Sequence, residues 1–417
     1  MRIVFLTHCC PGLFSNGGAE ISWTILNSFK KKNYKITLII LGTSEEYEKS
    51  KRNINQIKEL VDDVILYKSE REDTLYNIFL KNPFYFFSPP QKILMPAFKH
   101  KQEVENVIKK LNPECIFVYD WHAAPCVIDI DIKKILIVGD LLHFPFTIGI
   151  FSKRILGKKI VFSFKRFFQI LGTLWVIFHL KKFQIKLMNF FDSGGSFGFW
   201  DAKWLKNSGV KFSKYYKTPY YDTKKIYFSK KIPAKFEKKK FKILTGLGRL
   251  HATATSAGLY FLYRKLIPLI NKYIGEENYE IHILGDGFLN EKTEKIKNYP
   301  NVFVRGYVND LHYEIETSDA FLLATPIFLG YRCRLINSAA LSQCLILHRS
   351  DVINQPEFIS GQNCMIGNSP KEIVLNLKSV LKNSNLRKKL KKNVREMYLS
   401  NFEPSIAMEK IFEEIEK

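Results

Sequence analysis

The sequence predicts an α/β protein built on parallel sheets. In residues 279–349, apolar strand-type runs alternate with short helix-type stretches. The same alternation opens the chain, where residues 1–42 read as a strand, a helix with Ile21, Ile25 and Phe29 at helical spacing, and a second strand. Such alternation produces a parallel sheet whose connecting loops meet at one edge. A chain of 417 residues is also long enough for two domains, each with its own core.

The first half continues the pattern, and we assign residues 1–227 to an N-terminal domain. EVENVIKKLN predicts a helix that leads into the strand ECIFVYD, and KILIVGD predicts the strand after it. The lysine-rich, proline-containing stretch 228–241 has little apolar periodicity, so it predicts a linker. Residues 242–402 then form a second α/β domain.

Residues 144–192 differ from the rest of the first domain. They are aromatic and basic, contain no acidic residue before Asp192, and have a longest uncharged run, 167–180, that is shorter than the roughly 20 residues needed to span a bilayer. Such a segment can lie in the headgroup plane of an anionic membrane. A helical insertion packed on the first domain with a basic outer face is the alternative. The cations assigned to membrane contact are Lys158, Lys159, Lys165 and Arg166.

The strand ends in residues 279–349 carry glycines and arginines. Ligands of open parallel sheets bind at this edge, glycine lets backbone approach a ligand, and arginine matches phosphate oxygens. A helix that begins near Arg334 would also direct its amide dipole at an anion. These features favour a nucleotide diphosphate, although on spacing alone an ordinary core with surface arginines explains them equally well. The residues concerned are Gly285, Asp286, Gly287, Gly306, Gly330, Arg332 and Arg334.

An ordered series of motifs resembles glycosyltransferase family 4, whose members have the GT-B fold of two Rossmann-like domains facing each other across a cleft. In the second half the motifs are GLGRL at 246–250, GDG at 285–287, NVFVRGYVND at 301–310, TP at 325–326, GYRCRLINSAA at 330–340 and CLIL at 344–347. In the first half, GGAE at 17–20 and YDWHAAP at 119–125 are similar to the family's loops. A last helix, 403–417, would then cross back to the first domain, or else pack on its own.

The resemblance implies a retaining glycosyltransferase that moves a sugar from a nucleotide-diphosphate sugar to a lipid-linked or polysaccharide acceptor in surface glycan assembly. It implies no cofactor and no metal. It also implies that the leaving phosphate itself serves as the base, so no pair of protein carboxylates is required. Asp140 and His122 are the candidate catalytic groups near the sugar, with His143 as a third, although a lone histidine in an apolar turn is more often structural. The donor and phosphate-binding residues are Gly17, Gly18, Arg249, Gly285, Gly287, Gly306, Tyr307, Val308, Gly330, Arg332, Arg334 and Asn337.

Several positions depart from the family pattern. Leu329 and Asn337 stand where the family has two glutamates, and Ala257 stands where it has a lysine. Gly139 precedes Asp140 where the family often has histidine. These departures support an alternative function, a non-catalytic relative that binds a nucleotide or glycan as a scaffold or partner.

Composition limits the remaining possibilities. A hydrophobic content of 46% and a charged content of 25% are typical of soluble globular proteins. The seven cysteines lack C-x-x-C spacing and no leader peptide is evident, so we expect a cytoplasmic protein, peripheral at the inner face of the membrane. The net charge of +24 attracts anionic partners, or reflects a surface rich in solvated lysines. Because no nucleic-acid-binding module is present, we expect no nucleic acid partner.

Overall fold

The computed structural model describes residues 1–13, 17–69, 96–144, 146–147, 164–223, 240–328 and 330–417. The chain divides into two compact units. The first contains Met1–Ile150, Val161–Tyr221 and Pro404–Lys417, and the second contains Asp222–Glu403. Most of the predicted linker, 228–241, lies outside the described residues.

The first unit is built on a seven-stranded sheet in which every described pair of strands is parallel. The strand order is β3-β2-β1-β4-β5-β6-β7. Strands β1, β4 and β5 are buried along nearly their whole length, which explains why they read as continuous apolar runs. The strands are β1 Arg2–Thr7, β2 Lys35–Gly42, β3 Asp63–Lys68, β4 Cys115–Tyr119, β5 Lys134–Val138, β6 Ser193–Ser196 and β7 Lys214–Tyr215.

Helices connect these strands. The core of the unit includes three phenylalanine rings. The Phe5 and Phe117 ring centroids are 5.4 Å apart, and Phe29 meets Phe117 edge-on at 5.4 Å. The helices are α1 Gly17–Lys31, α2 Ser44–Arg52, α3 Ile54–Lys58, α4 Lys101–Leu111, α5 Phe164–Met188 and α6 Phe199–Asn207. Short 3-10 turns occupy Pro96–His100 and Ala124–Val127.

The second unit repeats this plan on a six-stranded parallel sheet of order β10-β9-β8-β11-β12-β13. Its strands are β8 Phe241–Arg249, β9 Tyr279–Asp286, β10 Val302–Gly306, β11 Ala320–Leu323, β12 Leu345–His348 and β13 Met365–Gly367. Its helices are α7 Thr253–Phe261, α8 Ile267–Ile274, α9 Leu311–Glu316, α10 Cys333–Ala340, α11 Pro370–Lys382 and α12 Ser384–Asn401. A π-helical turn, Leu262–Leu266, joins α7 to α8, and 3-10 turns occupy Glu276–Asn278, Glu294–Asn298 and Arg349–Asp351.

The last residues of the chain pack on the first unit. They form α13 Pro404–Ala407 and α14 Glu409–Glu416. The Phe412 ring lies 6.1 Å from that of Phe29, and Ile411 and Ile415 are buried. Lys133 also donates a hydrogen bond to the Ile415 carbonyl oxygen at 3.0 Å. The first unit is therefore assembled from both ends of the chain.

Helix α5 follows the predicted membrane-contact segment. Its inner side buries Val176 and Leu180, while Leu174 and Phe178 are 49% and 53% exposed. None of the helices in the described residues is both long enough and apolar enough to cross a membrane. Lys158 and Lys159 lie outside the described residues, and only the backbone of Lys165 and Arg166 is described.

Candidate functional site

The last residues of β8, the loop 246–248 that leads to Arg249, have an unusual backbone. Gly246, Leu247 and Gly248 all have positive φ angles, of 93°, 61° and 102°. The left-handed region is costly for a branched residue such as leucine, and strain of this kind is concentrated at ligand-binding and catalytic sites. The loop delivers Arg249, which is exposed at the carboxyl end of the strand.

The residues at the carboxyl end of β9 lie against those at the carboxyl end of β8, and glycine is required at the contact. A Cβ on Gly285 would lie 2.3 Å from the Gly248 carbonyl oxygen, and one on Gly287 would lie 2.5 Å from Nδ1 of His251. Both glycines also have positive φ. The two predicted G-x-G turns therefore pack together at the carboxyl edge of neighbouring strands.

Exposed aromatic rings project at this edge. Phe288 is 67% exposed and stacks on His251, with ring centroids 5.0 Å apart and planes 10° from parallel. Tyr307, which follows Gly306 at the end of β10, is 75% exposed, and Val308 is half-buried. The residues after β10 were predicted from the sequence, whereas the His251–Phe288 pair was not. The only signal for this pair was an aromatic ring shortly after each of the two glycine turns.

Two helix N-termini lie at the same edge, because α7 follows β8 and α10 follows β11, its neighbour in the sheet. Neither helix has a side-chain cap: the N-cap residues are Ala252 and Arg332, and neither side chain accepts a bond from the first turn. The first N–H groups of a helix have no partners within it and carry a partial positive charge. Both termini are therefore suited to an anion.

Arg332 is not an exposed phosphate contact in this structure. Its side chain is only 5% exposed, and its Nη2 lies 3.5 Å from Oδ1 of the fully buried Asp351. The other carboxylate oxygen of Asp351 accepts a hydrogen bond from the Thr325 amide at 3.0 Å. Burial raises the pKa of Asp351 to about 6, although the attraction of Arg332 lowers it. No sequence motif marks Asp351, and the role of Arg332 in phosphate binding stays a prediction.

Arg334 braces the strained loop. It donates hydrogen bonds to the Gly246 carbonyl oxygen at 3.0 Å and to Oγ1 of Thr255 in the first turn of α7 at 3.1 Å. Burial, together with the repulsion of Arg332, lowers the pKa of Arg334 to about 10. Arg334 therefore ties α10 to both the loop and the helix that follows it.

The remaining predicted residues of the second unit have these surroundings. Asn337 is half-buried, and its Oδ1 accepts a hydrogen bond from Oγ1 of Thr223 at 3.1 Å. Gly330 is buried with a φ of 75°. Ala257 is fully buried, whereas Leu329 lies outside the described residues.

The candidates in the first unit lie at the carboxyl ends of its central strands. Asp140 is exposed, and its carbonyl oxygen accepts a 2.7 Å hydrogen bond from Nε1 of Trp121. His122 is half-buried with its ring 4.4 Å from that of His8. His143 is buried instead: its Nδ1 is 2.8 Å from Nε2 of Gln184, and burial lowers its pKa to about 4. Gly17 and Gly18 are the first residues of α1.

Comparison with known proteins reveals the fold. No protein-family profile and no curated protein sequence matches the chain. Among solved structures, a glycosyltransferase from Rickettsia africae matches with a TM-score of 0.64 and 14% identity, covering 100% of this chain and 97% of that one. TarM matches with a TM-score of 0.64 and 10% identity, covering 100% and 99%. HepE of Anabaena in complex with UDP matches with a TM-score of 0.62 and 10% identity, covering 100% of each chain.

These matches extend over both units. Each unit has a parallel α/β sheet, of seven strands in the first and six in the second. The predicted fold class is confirmed: the chain has the GT-B fold of glycosyltransferases.

Proposed function

We propose that the chain is a retaining glycosyltransferase that takes a sugar from a nucleotide-diphosphate sugar. The observation that carries the proposal is the strained loop 246–248, which presents the exposed Arg249 beside the uncapped N-terminus of α7. Strain is retained in a fold where the surrounding structure enforces it, and it is most common at sites that bind or transform a ligand.

The diphosphate would bind at this loop. Arg249 supplies an exposed guanidinium, and the amide groups of α7 and α10 supply partial positive charge. Arg334 holds the loop in place and adds a cation close to the first turn of α7, where the buried Ala257 offers none. Charge that develops on the departing diphosphate would be stabilised by these groups, so the transfer step itself requires no metal in this proposal.

The nucleobase would lie near the end of β10, where Gly306, Tyr307 and Val308 offer backbone groups and an exposed ring. UDP is the first nucleotide to test, because HepE of Anabaena, which shares the fold, was solved with UDP and with UDP-glucose. Asn337 would contact the ribose by hydrogen bonds in place of a carboxylate.

The acceptor in this proposal is a lipid-linked or polysaccharide glycan at the cytoplasmic face of the membrane. Helix α5 supports it, because Ile170, Leu171, Leu174 and Phe178 lie exposed along one stretch of the helix. The segment before and within this helix is rich in lysine and arginine, and the net charge of the chain is +24. An apolar face bordered by cations is suited to an anionic membrane surface.

A thermal-shift screen against UDP-, GDP-, ADP- and dTDP-sugars tests the donor site. A ligand at one hundred times its Kd stabilises the folded state by about 2.7 kcal/mol, so the true donor raises the melting temperature by several degrees. Arg249→Met should lose most of that shift, while Lys265→Met, which removes another exposed cation of the same domain, should keep it. Equal responses from both variants would contradict the proposed diphosphate contact.

A non-catalytic relative is the second candidate function. It is favoured by Asn337, which carries no charge and already has Thr223 as a partner. The two functions differ in turnover. A nucleotide sugar that stabilises the protein but releases no free nucleotide in the presence of membrane glycolipids would favour the binding role.

A further inference from the structure

Three potential metal ligands come together in the first domain. His8 follows β1, while Asp120 and His122 follow β4, the strand that pairs with β1 in parallel. One ligand atom from each side chain lies within 4.8 Å of the other two. Nδ1 of His8 is 3.7 Å from Oδ2 of Asp120, and the two imidazole rings are 4.4 Å apart.

The turn after β4 holds Asp120 in an uncommon conformation. Its φ is 72°, in the left-handed region that aspartate tolerates better than most residues. Its Oδ1 accepts a 2.7 Å hydrogen bond from the amide of Trp121, whose Nε1 in turn bonds the Asp140 carbonyl oxygen. The hydrogen bond to Oδ1 therefore fixes the orientation of the carboxylate and leaves Oδ2 toward His8. Outer hydrogen bonds commonly orient metal ligands in this way.

The His8 nitrogen that faces this carboxylate lacks a hydrogen-bond partner among the described residues, and it is shielded from solvent. Buried polar atoms are nearly always satisfied, so this nitrogen is suited to bind an ion or a water molecule. The neighbouring Cys9 does not complete the group, because its thiol lies within hydrogen-bond distance of the Thr7 and Ser22 hydroxyls.

We propose that His8, Asp120 and His122 bind a divalent late first-row transition metal, with Zn²⁺ as the leading candidate. Two imidazoles and a carboxylate are a ligand set that zinc uses, whereas Mg²⁺ and Ca²⁺ prefer oxygen alone. Tetrahedral zinc at its usual bond lengths separates its ligand atoms by about 3.3 Å, so ligand atoms that lie within 4.8 Å of one another need to approach by no more than about 1.5 Å.

A fourth ligand position would remain open. All three side chains are partly exposed, so a water molecule or a substrate oxygen can reach the ion. This site departs from the expectation that the protein binds no metal. Its ligands belong to the first domain and the proposed diphosphate contacts to the second, so metal binding can be measured separately from donor binding, although His122 is also a candidate catalytic group.

Metal titration of the full chain tests the site. The protein is stripped with a chelator and titrated with ZnCl₂ by calorimetry, and with CoCl₂ while its visible spectrum is recorded. We expect one ion per chain and the intense visible bands of tetrahedral Co²⁺. His8→Gln and Asp120→Asn should each weaken zinc binding at least about tenfold. Asparagine suits the Asp120 position because it also tolerates positive φ.

His179→Gln is the matched control, because it removes a partly exposed histidine of the same domain that lies outside the cluster. It should bind zinc as the wild type does. Circular dichroism of the metal-free variants establishes that each is folded. The proposal is overturned if the wild type binds no zinc, if bound Co²⁺ shows only weak octahedral bands, or if folded His8→Gln and Asp120→Asn bind as tightly as the control.

Discussion

Replacing Arg332 by methionine distinguishes an internal structural arginine from a ligand contact. Its guanidinium is buried beside Asp351, with 3.5 Å between Nη2 and Oδ1. Methionine fills similar space without charge, so Asp351 would lose its nearest cation and keep only the hydrogen bond from Thr325. Arg249→Met provides the comparison, because Arg249 is exposed.

The expected loss follows from the burial of both charges. Removing one partner of a buried ion pair costs about 3–5 kcal/mol, and the lower end applies because Asp351 already protonates readily, with its pKa raised from 3.8 to about 6. For a domain of this size, a loss of about 3 kcal/mol lowers Tm by roughly 6–12 °C. Arg249→Met should change stability by less than about 1 kcal/mol.

The pH dependence separates lost charge pairing from lost packing. Without Arg332, the pKa of Asp351 in the folded protein rises further, because the largest attraction that lowers it is gone. Near pH 5 the carboxyl is protonated in both folded proteins, so the stability difference should be small. Above the wild-type pKa of about 6, only the wild type ionises the Asp351 carboxyl without a further cost in free energy. The stability difference between wild type and Arg332→Met should therefore grow toward pH 8.

Calorimetric melting at pH 5 and pH 8, with and without the donor identified by the screen, measures both effects. The reasoning is refuted if Arg332→Met melts within about 2 °C of wild type at pH 8. Loss of donor binding in that variant, with normal binding in Arg249→Met, would instead make Arg332 the direct contact.

Three further predictions concern stability and membrane binding. Burial lowers the pKa of His143 from 6.5 to about 4, so acidification through that range should destabilise the protein by up to about 3 kcal/mol, and His143→Gln should reduce this dependence when melting is followed against pH. Arg395→Ala should cost about 3 kcal/mol by chemical denaturation, because it removes the cation that donates hydrogen bonds of 2.6 and 2.8 Å to the buried carboxylate of Asp222, and Arg395→Lys should cost less. Leu174→Glu with Phe178→Glu should abolish flotation with anionic liposomes, whereas the exposed Leu375→Glu should not; flotation retained by the double variant would refute membrane contact through α5.

The strands were predictable from the sequence because parallel strands covered on both faces must be apolar throughout. KILIV at 134–138 is buried at every position and, after Lys134, reads as an uninterrupted apolar run. The glycine turns were predictable for a related reason: Gly285 and Gly287 lie where a side chain would collide with the neighbouring loop. Local constraints of this kind limit which residue types can occupy a position, so they can be recognised in the sequence.

The candidate site was less predictable, because its contacts join distant parts of the chain. From the sequence, Arg332 would be expected to be a surface cation in a turn. Only the fold places Asp351 beside it. His8 and Asp120 are likewise far apart in sequence, so no spacing motif predicted that they lie close together. The sequence placed the candidate residues at the carboxyl edge of each sheet, where the structure has them, but it could not separate exposed charges from buried ones.

The return of the last residues to the first domain affects how the protein folds during synthesis. Residues 404–417 cover Phe29 through Phe412 and supply the buried Ile411 and Ile415. A ribosome makes them only after the whole second domain has been translated. A nascent chain therefore presents an apolar surface on its first domain until residues 404–417 have been made, and chaperones that recognise such surfaces have that interval in which to bind.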